Sequence, residues 1–299
     1  AFSADAATLG RAVAHVARLG ADRRARGEAM DRDALVLCLQ FAALTGRERL
    51  PDPLRDLVAA GTPADLISPA TAPLLASHPD LLAADAAALD RDLATARQVA
   101  RDAAALAARL SDPATRIAVV GNSPCETGLG KGPRIDAADL VVRFNAFSTA
   151  PDHAADYGTR TDLWVANFKR GEADRLSVPA ALWPSESDFL RQRSWESVRR
   201  YQDDGRAVSA VPAAVPTGLL KRIGRPPSAG LTFLHYLADL RAGLSGVGLY
   251  GFSFVDQIGP KAVSAHYFEQ ARPSMVHDWQ REAEIFADLA GQAPGGDGA

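Results

Sequence analysis

The run from Arg116 to Asn145, RIAVVGNSPCETGLGKGPRIDAADLVVRFN, constrains this chain more than any other stretch. It opens with four apolar residues, Ile117-Ala118-Val119-Val120, a pattern that predicts a short strand buried on both faces of a parallel sheet. The turn-forming cluster Gly121-Asn122-Ser123-Pro124 ends that strand abruptly. A glycine-rich loop follows, with Gly128, Gly130 and Gly132 beside Lys131 and Arg134, and then a second apolar strand from Leu140 to Asn145. Both strands lead into an asparagine, Asn122 and Asn145. Ligands of open α/β sheets sit outside the carboxyl ends of the strands. Two amides presented there can read the polar edges of a nucleotide or a sugar.

The familiar nucleotide loops do not fit. A P-loop needs Ser or Thr after its Gly-Lys pair, but Gly132 follows Lys131. The dinucleotide fingerprint needs its first glycines directly after the strand, and here they come several residues late. No acidic residue stands at the usual ribose-binding place either, so a Rossmann-type oxidoreductase is excluded. The glycine pattern alone leaves a phosphate-cradling loop and an ordinary turn both open.

Composition sets outer limits. A chain of 299 residues with 47% hydrophobic and 23% charged residues can bury a sizeable core, as one large domain or two small ones. A net charge of -3 excludes a general nucleic-acid binder, so an anionic ligand has to be held by local basic groups. The two cysteines, Cys38 and Cys125, make no metal-ligand spacing and read as free thiols in a reducing compartment. No stretch approaches the roughly 20 apolar residues of a membrane span. The N-terminus does not read as a signal peptide, and its lack of a Met fits a processed or trimmed start.

The pattern divides the chain at Asp112-Pro113. Residues 1–111 read as an all-helical N-terminal region, with apolar spacing at Leu9, Val13, Val16 and Leu19, a helix at Asp31–Leu44, a short one from Pro51, and a long Ala-rich one from Pro79 to Ser111. The triplets Asp31-Arg32-Asp33 and Asp90-Arg91-Asp92 lie in helical pattern and follow no strand, so they read as solvated faces, and no metal site is expected. Residues 112–290 read as an α/β domain, with further strands at Asp162–Asn167, Ala180–Trp183, Val208–Val211 and Gly246–Phe252. Ser187–Tyr201 reads as a surface helix between them, and residues 291–299, rich in Gly and Pro, as a disordered tail.

A second informative piece is Arg225-Pro226-Pro227-Ser228-Ala229-Gly230-Leu231. Its Pro and Ser signal the start of a helix carrying Leu234, Leu237 and Leu240. Ser228 and the Gly230 amide then sit at a helix N-terminus, a place suited to anions; spacing alone favours a simple cap without a ligand. Pro216-Thr217-Gly218 competes for this role but lacks the helix-then-strand sequel.

Together these pieces resemble the sialyltransferases of glycosyltransferase family 29. VVGN, GLGK, VVRFN and DYGTRTD (Asp156–Asp162) resemble the large sialyl motif, and PPSAGLTFLHYLADL followed by VGLYGF resembles the small one. His266-Tyr267-Phe268-Glu269 resembles the third motif, and His277 with Glu282 five residues later matches the very small one. The resemblance covers roughly Arg116 to Phe286.

It implies a metal-independent, GT-A-like variant: a Rossmann-like, mostly parallel sheet flanked by helices. It also implies inverting transfer of sialic acid from CMP-sialic acid to a glycan hydroxyl, with no cofactor beyond that donor. By motif, Asn122, Ser123 and Asn145 would hold the CMP part, and Ser228 and Gly230 the ribose or phosphate. His266 would pair with the donor phosphate as CMP departs, Tyr267 would touch the phosphate or pack, His277 would be the general base, and Glu282 would support it. Animal members join the large and small motifs by a disulfide, but Cys125 has no partner in Pro227–Phe252. That departure favours a bacterial-type, cytoplasmic enzyme, peripheral to the inner face of the membrane, acting on a capsular or lipid-linked acceptor. CMP-Kdo is the alternative donor, and a non-catalytic nucleotide- or glycan-binding module the alternative class.

Overall fold

The computed structural model describes residues 14–15, 18–19, 22–23, 25–28, 86–166, 178–184, 196–212, 214–253, 266–269 and 274–291. In chain order the elements are α1 (Ala86–Ser111), β1 (Ile117–Val120), α2 (Gly132–Asp136), β2 (Leu140–Phe144), α3 (Pro151–Tyr157), β3 (Leu163–Val165) and β4 (Ala180–Trp183). Then come α4 (Glu196–Asp203), β5 (Ala207–Ala210), α5 (Ala214–Ile223), α6 (Ala229–Arg241), β6 (Val247–Tyr250) and α7 (Trp279–Gly291). The chain divides into two units, 1–101 with 187–203 and 102–186 with 204–299.

Of the first unit, the described residues are helical at 14–15, 18–19, 22–23 and 25, in the first part of α1 and in α4, with a turn at 26–27. Asp90-Arg91-Asp92 lies within α1. The triplet at Asp31, the helices expected at Asp31–Leu44 and Pro51, Cys38 and the tail beyond Gly291 lie outside the described residues.

Among the described residues, the second unit is built on six strands, all parallel, in the order β5-β4-β3-β2-β1-β6. The expected α/β architecture, a parallel sheet flanked by helices, is the one observed. The chain steps outward from β1 to β5 and then returns to the other side of β1 as β6. The topological switch therefore falls between β1 and β6, the place where ligands of such sheets usually bind. Alternation along the strands supplies two cores. Ile117, Val119, Leu140, Val142, Phe144, Leu163 and Val165 face one way, against Leu231, Phe233, Leu234 and Leu237 of α6 and Ile285 of α7. Ala118, Val120 and Val141 face the other way, with Ile135, Tyr157 and Tyr250.

Several details differ from the sequence pattern. The second strand stops at Phe144 because Asn145 turns into the left-handed region, φ 46°, a conformation Asn tolerates better than most residues. Two short helices were not read from the sequence, α2 at the end of the glycine-rich loop and α3 between β2 and β3; each has a proline in its first turn, Pro133 and Pro151, a start signal that their shortness hides. Pro216-Thr217-Gly218 lies inside α5, so its amides stay in a helix and form no helix start.

Candidate active site

The turns after β1 and β6 cross in contact. Gly121 N donates to Tyr250 O at 2.8 Å and Ser123 N to Gly251 O at 2.9 Å. A Cβ on Gly121 would lie 2.3 Å from Gly251 O, and one on Gly251, at φ +67°, 2.5 Å from Gly121 O. Only hydrogen fits at either place. The Ser123 hydroxyl bonds that of Ser253, and the Ser123 carbonyl accepts from Tyr157 Oη at 2.8 Å.

Asn122 bridges the ends of β1 and β2. Its Nδ2 donates to Phe144 O at 3.2 Å and Ala146 O at 2.9 Å, which leaves Oδ1 buried with no partner. An unmet buried acceptor costs about 1–3 kcal/mol, a cost that an N–H or O–H donor from a ligand would remove. Asn145 is exposed at its left-handed turn, and its carbonyl accepts from Trp164 Nε1 at 2.7 Å.

The glycine-rich loop does not hold an open phosphate cradle at its first two glycines. The Asp156 carboxylate accepts from Gly128 N at 2.8 Å and Gly130 N at 2.9 Å, and those bonds hold its carboxyl below the usual range. The chain supplies its own anion there. The rest of Asp156–Asp162 is equally structural: Tyr157 Oη accepts from Glu126 N at 3.2 Å, and Asp162 accepts from Val141 N at 2.8 Å and Arg160 Nη2 at 2.9 Å. Burial pushes the Tyr157 hydroxyl up to about 12. Arg143 is wholly buried beneath this segment and donates to the carbonyls of Tyr157 (2.6 Å) and Arg160 (2.9 Å). Cys125 is an exposed free thiol whose pKa burial of its sulfur environment raises, so it is no ready nucleophile.

Ser228 caps α6: its Oγ accepts from Leu231 N at 3.2 Å. It also donates twice to the buried Glu282, from its N–H to Oε1 at 2.7 Å and from its hydroxyl to Oε2 at 2.6 Å. Burial pushes the Glu282 carboxyl up; the two Ser228 bonds and His277 oppose that shift. The Ser228 hydroxyl proton is thus committed inside the protein, and the amides left at the helix start are those of Ala229 and Gly230. A Cβ on Gly230 would lie 3.3 Å from the Phe252 ring, so the helix start packs tightly against the turn after β6.

His277 joins the same cluster. Its Nδ1 lies 2.8 Å from Pro226 O and 3.8 Å from Glu282 Oε1, with the side chain 22% exposed. A carbonyl only accepts, so Nδ1 carries the hydrogen and a neutral ring keeps its lone pair on Nε2. The Trp279 ring stands edge-on to the imidazole at 5.1 Å. Residues about fifty positions apart in sequence are thereby fixed around one helix start.

Tyr267 ties its loop to the first two strands. Its N–H donates to Asn122 O at 2.8 Å, its ring stacks on Tyr157 at 3.8 Å, and its hydroxyl both donates to Ser148 O and accepts from Ser148 N. His266 beside it stacks on Phe268 at 5.1 Å, and its Nδ1 lies 3.0 Å from Glu269 Oε1. The sequence pattern gave Glu269, Asp156, Tyr157 and the Pro226 carbonyl no separate role. The first three stand inside recognised motifs; a backbone carbonyl leaves no signal.

Among the described residues, no group of three or more His, Cys, Asp or Glu is placed to hold a metal ion, and no helix is long and apolar enough to cross a membrane.

Residues 85–181 match the family model for glycosyltransferase family 29 (sialyltransferase). A stretch of 50 residues, 17% of this chain, is 52% identical to the sialyltransferase-like protein 2 of Oryza sativa subsp. indica, and spans 12% of that protein's length. Two crystal structures of a mammalian sialyltransferase also resemble the chain. One is in complex with Gal-beta-1-3GalNAc-ortho-nitrophenol; the TM-scores are 0.41 with it and 0.43 with the other, at 22% and 23% identity. Each alignment covers 60% of this chain and 68% of the other.

Proposed function

We propose that this chain is an inverting, metal-independent glycosyltransferase that moves sialic acid from CMP-sialic acid to a glycan hydroxyl. The observation that carries the reading is the His277 cluster: a ring whose hydrogen is fixed on Nδ1 by Pro226 O, leaving Nε2 as a base, beside the start of a helix capped by Ser228. The motif order and the match to a sialyltransferase family over residues 85–181 support it.

In this reading the Asn122 Oδ1 acceptor and the Asn145 turn take the cytidine part, with Ser123 holding the turn between them. The Ala229 and Gly230 amides face the ribose or phosphate at the positive end of α6. Nε2 of His277 takes the acceptor hydroxyl proton as the oxygen attacks the anomeric carbon from the face opposite the phosphate. The bond to the phosphate oxygen breaks, and its electron pair leaves with CMP. His266 hydrogen-bonds that oxygen. Glu282, 3.8 Å from His277 Nδ1, compensates the imidazolium as it forms. The leaving group is already a phosphate ester, so oriented donors suffice to stabilise it.

Donor binding is the direct test: calorimetry with CMP, CMP-sialic acid and CMP-Kdo. Preference for CMP-sialic acid is the expected result. Preference for CMP-Kdo would change the sugar while keeping the mechanism, and binding of none would sink the reading. Loss of a general base costs about 10²–10⁴-fold, so His277→Ala should lose transfer by that factor while CMP affinity stays within a few fold. The cytoplasmic face of a membrane, and a capsular or lipid-linked acceptor, belong to the same proposal and are checked by fractionation and an acceptor screen.

A further inference from the structure

Among the described residues, two that are not glycine have a left-handed φ, Asn145 at 46° and Ala242 at 54°. Ala242 closes the C-terminus of α6, where such a conformation is common. Asn145 ends a strand and has no such local cause. A left-handed residue of this kind persists only where its surroundings over-determine it, and here both neighbouring strands do so. On the β3 side, Asn145 N donates to Val165 O at 2.9 Å, and Asn145 O accepts from Trp164 Nε1 at 2.7 Å. On the β1 side, Asn122 Nδ2 donates to the carbonyls before and after it, Phe144 O at 3.2 Å and Ala146 O at 2.9 Å. Three consecutive carbonyls are thus held by two side chains.

Those two side chains do not act independently. The Asn122 amide reaches both of its carbonyls only while the chain turns back at Asn145, and the peptide between those carbonyls is the one that the indole holds. Trp164 is wholly buried in β3, in register with Arg143 of β2, so the sheet itself carries the indole to the turn. We propose that Trp164 is a positioning residue of the CMP-sugar site: its Nε1–H fixes the peptide after Asn145, and through that peptide it sets the Asn145 turn and the direction of the Asn122 amide, whose Oδ1 is the buried acceptor without a partner. The inference rests on the reading above, in which Asn122 and Asn145 take the cytidine part. Trp164 lies two residues beyond Asp156–Asp162 and outside the four motifs, so the family resemblance gives it no role.

The test removes the N–H and keeps the ring. Trp164→β-(3-benzothienyl)alanine puts sulfur in the place of the indole N–H at nearly the same volume, and Trp164→Phe is the simpler companion. CMP affinity measured by calorimetry should fall about three- to tenfold in both, the factor that corresponds to one hydrogen bond. Trp183→Phe is the control for lost packing, because Trp183 is equally buried, in β4; it should lower the melting temperature and leave CMP affinity within about twofold. A second readout needs no ligand. The side-chain amide protons of Asn122 should resist exchange with solvent in the wild type and exchange about tenfold faster once the indole N–H is gone, as a local opening eased by one hydrogen bond. Unchanged CMP affinity in the benzothienyl protein, an equal loss in Trp183→Phe, or an Asn122 amide that exchanges at the wild-type rate would each overturn the proposal. A faster-exchanging amide in a protein that binds no CMP would keep the Trp164 lock on the turn and reject the transferase reading alone.

Discussion

Glu282 commits both carboxylate oxygens to Ser228, one to its N–H and one to its hydroxyl, while lying 3.8 Å from the Nδ1 of His277. A glutamine keeps one oxygen and turns an N–H₂ towards a group that also donates. Leaving one buried donor unmet costs about 1–3 kcal/mol. Glu282→Gln should therefore lower stability by that amount in urea melts and lower kcat through misplacement of His277; an unchanged melt would contradict the buried geometry. At this scale the sequence revealed residue identities better than their work. His277, Glu282 and Ser228 stood out by motif, and the N-cap followed from Ser before a helical run. That Ser228 turns its proton inward, and that His277 is oriented by a backbone carbonyl, depends on a fold that brings Pro226 and residue 277 together. No local pattern encodes that meeting.

Strands were the most legible elements, because a continuous run of Val, Ile and Leu buried on both faces leaves few alternatives. Short helices were the least legible, since five residues at α2 and seven at α3 carry too little periodicity to read. The start of β2 is held to β1 by Asp139, whose carboxylate accepts from Arg116 N at 2.9 Å, Nε at 3.0 Å and Nη2 at 2.8 Å. Those bonds hold its carboxyl down to about 2 from 3.8. A depressed acid stabilises the folded state above its unfolded value, and the contribution is lost as pH falls from 3.8 through about 2. Asp139→Asn should therefore be less stable than wild type at neutral pH, by a small margin because the pair is exposed. The gap should close near pH 2. A gap of constant size across acid melts would refute the assignment.

Across the whole molecule, the site depends on one crossing, where Gly121 and Gly251 meet. Forcing atoms into a packed contact costs about 1–3 kcal/mol, and here the obstruction is backbone that no rotamer change can relieve. Gly121→Ala should lose that much stability and weaken CMP binding with it. Gly218→Ala, in α5 with open space around it, should be neutral or stabilising. Equal melts for the two variants would remove the crossing from the account. The parallel sheet and the order of its early strands were legible; the placing of β6 beside β1 was not, because adjacency across some 130 residues leaves no trace in either segment alone. It also sets a timetable for synthesis. Until Val247–Tyr250 has emerged from the ribosome, β1 is an unpaired sheet edge with an apolar row on each face, the kind of edge that recruits other chains. A nascent chain of this protein has no finished site until β6 arrives, and over the interval between the two strands it exposes an edge open to mispairing.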